Sequence, residues 1–175
     1  MLPKEIRRTA SQIAGLFVIL RGMKRSFGLR RKAVTPYQKA VHKLDAALSV
    51  MVRERDSVCI TSGRSGIPLD AGHFRRRELM STRFHPLNVH GQAIKDNRFL
   101  GGLTFEYGQA LDRKFGKGCA AFLEKLSRAE AKWSPEEMDA LTDAAKYGHL
   151  VYTQTYYMLR PLHLFTGILT KMAKS

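Results

Sequence analysis

Cysteine is scarce: Cys59 and Cys119 are the only two in 175 residues. Two thiols build no disulfide framework, so the fold rests on burial and hydrogen bonding, and a reducing cytosol is the natural setting. Acidic side chains are short as well. Fifteen Asp and Glu face thirty Lys and Arg, none of the fifteen lies beyond Asp143, and the net charge is +15. A field of that size concentrates and steers polyanions, so nucleic acid is the expected partner, although charge alone does not separate a nuclease from a nonspecific polyanion binder. Long apolar runs are missing. The run at 13–20 is too short to cross a bilayer, and the apolar, aromatic stretch at 150–172 is interrupted by Arg160, Pro161 and His163, so no membrane span is expected. Internal repeats, a Walker loop, a dinucleotide motif and a nucleophile elbow are also absent. What remains, at 44% apolar content, is enough to bury one sizeable core.

Residues 1–34 hold nine Lys or Arg and a single acid, Glu5. Three readings fit this segment: a nucleic-acid-binding arm, a docking helix, or a signal or organelle transit peptide, although no small-residue cleavage site follows its apolar run. Thr35-Pro36 reads as an N-cap with proline in the first turn, opening a helix over 37–55 whose Ala40, Leu44, Leu48 and Met51 recur at core-facing spacing. The segment 56–69 is broken by Ser, Gly and Pro into turns. Strands are expected at 69–74 and 87–92. A helix should run over 97–115, loosened by Gly101-Gly102, with Phe99, Leu103 and Leu111 packing inward. A short helix is expected at 117–129. Ser134-Pro135-Glu136-Glu137 then opens another with a capping box. Core packing or an oligomer contact accounts for 150–172. The fold class is α+β, mostly helical: a basic arm (1–34), a core (35–130) and a C-terminal helical extension (131–175).

The chemistry concentrates in DAGHFRRR and RFHPLNVHGQAIKDN. His73, Asn88 and Asn97 stand fifteen and nine residues apart, about the chain needed for a second strand to return beside the first and open a short helix on the same site. A neutral imidazole can take a proton from an attacking water near neutral pH, the role expected of His73. Arg75, Arg76, Arg77 and Arg83 follow it. Guanidinium forks match phosphate oxygens, so these four are candidate phosphate clamps, with Arg75 foremost because it lies two residues from His73. His85 and His90 read as structural.

This order and spacing resembles the His-Asn-Asn pattern of HNH (ββα-metal) nucleases. The resemblance implies a metal finger flanked by N- and C-terminal helices, with Asn88 fixing the hairpin and Asn97 offering a hard oxygen to one divalent cation, Mg2+ or Mn2+. Asp70, on the face of Gly72 if this is a strand, would help hold it, and Asp96 is a second candidate helper. AGHFRRR, RFHPLNVHGQ, DNRFLGG and EYG, with LSVMVRERDSVCITSG upstream and AKWSPEEMDAL downstream, are similar to the NinG/Rap recombination protein family of lambdoid bacteriophages. That similarity spans 37–145. It implies a DNA endonuclease acting on branched or single-stranded recombination intermediates in the cytoplasm of the infected host.

Two departures stand out. Relatives carry paired cysteines for a structural zinc, whereas here Cys59 is followed by Ser62, and Ala93 and Asp96 replace the second pair, so no structural zinc is expected. Gly72 occupies the place before the base where many HNH enzymes put a metal-binding Asp. The alternative function is a noncatalytic nucleic-acid-binding or packaging protein that keeps the finger as a scaffold, and an organelle location follows if 1–34 is a transit segment.

Overall fold

The computed structural model describes residues 33–160. The readings placed on 1–32, and those on the apolar stretch beyond Arg160, lie outside the described residues.

Thr35 opens helix α1 (Pro36–Arg55) with a full capping box. Its hydroxyl accepts the Gln38 amide at 3.1 Å while the Gln38 side chain accepts the Thr35 amide at 2.9 Å. Leu44, Leu48, Met51 and Val52 bury one stripe of this helix. Each such side chain removed from water contributes roughly 1.5–3 kcal/mol. The helix ends on a clamp. Arg55 grips Asp56 through bonds of 2.8 and 2.6 Å and donates to the Val89 carbonyl at 3.0 Å, while Asp56 accepts the Gly91 amide at 2.6 Å.

That clamp holds a two-stranded antiparallel hairpin, β1 (Leu69–His73) and β2 (Val89–Ala93), in which Asp70 faces Gln92, Gly72 faces His90 and His73 faces Val89. A one-turn helix, α2 (Met80–Arg83), lies between the strands, where the sequence pattern announces none. The hairpin runs directly into α3 (Ile94–Arg98), followed by α4 (Thr104–Phe115), α5 (Cys119–Ser127), α6 (Pro135–Lys146) and α7 (His149–Leu159). The helix expected over 97–115 is therefore two helices. Gly101 and Gly102 take φ of +63° and +80° and Leu103 takes +46°, left-handed values that cannot continue a helix. Ser134 and Glu137 form the second capping box, at 3.2 and 2.8 Å.

Two apolar clusters share the interior. In one, α1 packs against Phe84, Trp133, Met138, Leu141, Tyr152 and Tyr156; in the other, Leu87, Tyr107, Leu111, Cys119 and Leu123 meet. Buried polar tips aim at the hairpin and its insertion. Tyr107 donates to the Gly72 carbonyl at 3.0 Å, Tyr152 to that of Phe84 at 2.7 Å, and Trp133 to that of Met80 at 3.0 Å. Leu111 is buried as expected, but Phe99 is 76% exposed, because the break at 101–103 releases it from the helix that would have turned it inward. Among the described residues no helix is long and apolar enough to cross a membrane.

Candidate active site

Beside the hairpin opens a cleft of about 700 Å³, lined by Asp70, His73, Arg76, Arg77, Asn97 and Arg98, with Ser49 and Arg53 of α1 on another side. Strand β1 brings Asp70 and His73, α3 brings Asn97 and Arg98, and the turn after β1 brings the two arginines.

His73 is half-buried. Its Nε2 is enclosed and has no hydrogen-bond partner among the described residues, whereas Nδ1 lies 3.4 Å from Arg77 Nε. A guanidinium only donates, so Nδ1 carries the lone pair and Nε2 the proton. Burial, and then the Arg77 charge, push the ring's pKa down to about 4. At neutral pH it is an uncharged acceptor whose open nitrogen lies on the Arg77 side.

Asn88 does not enter the cleft. Fully buried, it accepts the Arg75 amide at 2.7 Å and donates to the Arg75 carbonyl at 3.1 Å, while its own carbonyl takes the Phe74 amide at 2.9 Å. These three bonds extend the pairing past the end of β1 and fix the turn that leaves His73.

Asn97 donates to Asp70 at 3.3 Å, and Arg98 grips the same carboxylate at 2.6 and 2.9 Å. Arg98 first, and then Asn97, outweigh partial burial and hold the Asp70 carboxyl below its ordinary range. Nowhere among the described residues do three His, Cys, Asp or Glu side chains converge to cage a metal. The cleft does hold an ionised carboxylate and an amide carbonyl, hard oxygens of the kind Mg2+ accepts when waters and substrate phosphate complete its shell. The donor set therefore fits a cation that arrives with substrate, provided Arg98 yields Asp70.

Several residues stand elsewhere than expected. Arg75 does not line the cleft, since strand alternation stops at His73 and the two-residue spacing loses its meaning in the bend that follows. Arg83 is set apart too. It grips Asp45 at 3.1 and 2.5 Å and the Arg77 carbonyl at 2.8 Å, and with 16% of its side chain exposed it braces the insertion against α1. Asp96 turns away from Asn97 to accept Thr61 at 2.9 Å and Cys59 Sγ at 3.6 Å, while Sγ itself accepts the Ala93 amide at 3.2 Å. A polar network thus closes the 59–64 turn. Gly72 has no room for a side chain: a Cβ there would lie 2.3 Å from Gln92 Oε1 and 2.8 Å from Gln92 Cβ. Sequence reasoning missed Arg53, Ser49, Glu78 and Arg98. Arg98 adjoins Asn97 on the expected helix, a signal that could have found it, but nothing in the sequence places α1 across the cleft.

Hairpin, short helix and basic cleft define a small, mostly helical α+β protein with one polar site on its hairpin. The chain belongs to the family of the Bacteriophage Lambda NinG protein, which it matches over residues 21–150. That span contains the hairpin, its cleft and helices α1 through α6. No curated protein and no solved structure matches it significantly.

Proposed function

We propose that this protein is a metal-dependent DNA endonuclease of phage recombination or DNA processing, working in the cytoplasm of the infected host. The observation that carries the reading is the convergence in one cleft of a neutral imidazole, the hard oxygens of Asp70, Glu78 and Asn97, and four arginines, Arg53, Arg76, Arg77 and Arg98. Membership in a phage family supports the setting.

The arginines bind the scissile phosphate and its neighbours, since guanidinium pairs hold phosphate oxygens in fixed orientation. A water then donates to His73 Nδ1 in place of the Arg77 N–H and attacks phosphorus as the proton passes to the ring, and the P–O bond to the leaving oxygen breaks. A bound phosphate favours the imidazolium, which raises the ring's pKa toward the working pH during the step. Asn88 keeps the turn rigid, so His73 cannot drift from the attacking water. Asp70 and Asn97 would hold one divalent cation, Mg2+ or Mn2+, which supplies charge neutralisation at the phosphate and the leaving oxygen. HNH ancestry is part of this proposal.

A plasmid-nicking assay with Mg2+ or Mn2+ tests it. Wild-type protein should nick, and His73→Ala should lose about 10²–10⁴ in rate with DNA affinity kept. Wild-type protein that cuts no DNA form under any divalent metal would leave the second reading, a noncatalytic DNA-binding protein. That reading is favoured by one observation, the Arg98 guanidinium seated on the Asp70 carboxylate.

A further inference from the structure

We propose that Phe99 and Phe105 form a stacking surface for unpaired nucleotide bases on the strand whose phosphates lie in the adjoining arginine cleft. The proposal rests on the nucleic-acid reading above, though not on hydrolysis.

Phe99 is 76% exposed, Phe105 72% and Leu100 46%, whereas Phe84, Tyr107 and Tyr152 are wholly buried. The segment that shows these rings is braced. The Gly102 amide donates to the Asp96 carbonyl at 2.9 Å, the Gly102 carbonyl accepts Gln92 Nε2 at 2.6 Å, and Leu103 is held at φ +46°, a left-handed state that aliphatic residues seldom adopt. Such a conformation persists only where its surroundings over-determine it, and it gathers at ligand sites.

The neighbours indicate what the rings meet. Asn97 and Arg98 line the cleft immediately before Phe99, so the patch continues the site along the chain. Lys95 is exposed on the same short helix, and Glu106 is the only acid between positions 97 and 111. Cations beside open aromatic faces are the means by which proteins hold single strands: phosphates follow the charge, bases lie on the rings, and sequence matters little. In a duplex each base face is covered by the next base pair. Exposed rings at this place therefore select strands whose bases are free.

Binding measured in EDTA separates this from catalysis. Fluorescence anisotropy would compare a labelled single strand with a blunt duplex of the same sequence, for wild type and for the Phe99→Ala, Phe105→Ala double variant. The double variant should lose about fivefold to 150-fold per ring in single-strand affinity, with duplex affinity and the salt slope unchanged. Phe99→Trp should keep the affinity and show quenching of the added tryptophan by single strands. Both rings are exposed, so thermal melting should show the variants folded. An equal loss on both DNA forms, or no loss, overturns the proposal. So does conversion of a wild-type dimer into a monomer by the double variant, which would assign the patch to self-association. Wild-type protein that binds neither DNA form would overturn the nucleic-acid reading itself, whereas failure of the stacking surface alone leaves wild-type binding intact.

Discussion

Acidification should destabilise this protein well above the pH at which carboxylates titrate, because its histidines fold uncharged. His85 is wholly buried, with Nδ1 accepting the Leu87 amide at 3.1 Å, and desolvation alone pushes its pKa down to about 3. His90 is 2% exposed and pressed well below its ordinary value by burial and then by Arg55, whose guanidinium donates to Nδ1 at 3.0 Å. His73 sits at about 4 for similar reasons, and His149 also at about 4. The unfolded chain takes up these protons near pH 6.5 and the folded chain does not. Stability is therefore complete above that value and falls as pH drops below it, until the folded values are reached. Each fully buried ring costs about 1.4 kcal/mol per pH unit in that window, so moving from about pH 7.5 to about pH 5 removes about 2 kcal/mol per ring. His85 and His90 together remove about 4 kcal/mol; His73 adds up to about 2, and the partly exposed His149 a smaller share. Against a typical stability of about 5–15 kcal/mol this is a large fraction. Urea midpoints followed by circular dichroism across that range would measure it. His90→Gln, which can still accept from Arg55 and donate to the Leu87 carbonyl, should recover about 2 kcal/mol of the loss. Stability that stays flat to about pH 5 and falls only below about pH 4, where carboxylates of the unfolded chain take up protons that Asp56 and Asp70 resist in the fold, would refute the reasoning.

Three further outcomes follow from the cleft and the 59–64 turn. Arg98→Ala should free Asp70 and tighten Mn2+ binding to DNA-free protein, read by electron paramagnetic resonance, whereas Asp70→Ala should abolish it; equal binding in wild type and Arg98→Ala would show that the ion pair does not compete with the cation. Replacing Arg76 and Arg77 with Ala should flatten log K against log salt by roughly 0.9 for each duplex phosphate these side chains neutralise, while Arg83→Ala should leave the slope and lower the melting temperature by removing its partly buried pair with Asp45. Purified protein should contain no stoichiometric zinc by elemental analysis, and a chelator should not unfold it; one tightly held zinc per chain would show that the 59–64 turn uses other ligands.

Local chemistry was the readable part of this sequence. Both helix starts announce themselves, because a Thr-Pro or Ser-Pro pair marks an N-cap and a first turn; the Ser134–Glu137 capping box is legible as well, and the Gln38 half of the Thr35 box is added by the structure. The α1 stripe is equally plain, since Leu44, Leu48 and Met51 carry the helical period whatever they pack against. The spacing of His73, Asn88 and Asn97 also marks where the hairpin lies. Whatever depends on distant chain was hidden. Arg53 reaches the cleft only because the Arg55–Asp56 clamp seats the end of α1 on β2, and no local pattern reports that docking. Arg83 looks like another phosphate ligand until Asp45, thirty-eight positions away, is placed beside it. Phe99 sits in a helical pattern, and the break that exposes it depends on left-handed values at three successive residues, one of them a leucine.

The Asp56 carboxylate that accepts the Gly91 amide has a consequence for the timescale on which the cleft can fail. The hairpin is short, its far strand is sewn to the end of the longest described helix, and that helix supplies much of the larger core. Two strands of five residues have little stability by themselves. The Gly91 amide should therefore exchange with deuterium only as fast as the whole domain opens, and the cleft would be intact in every molecule that is folded and lost in every one that is not.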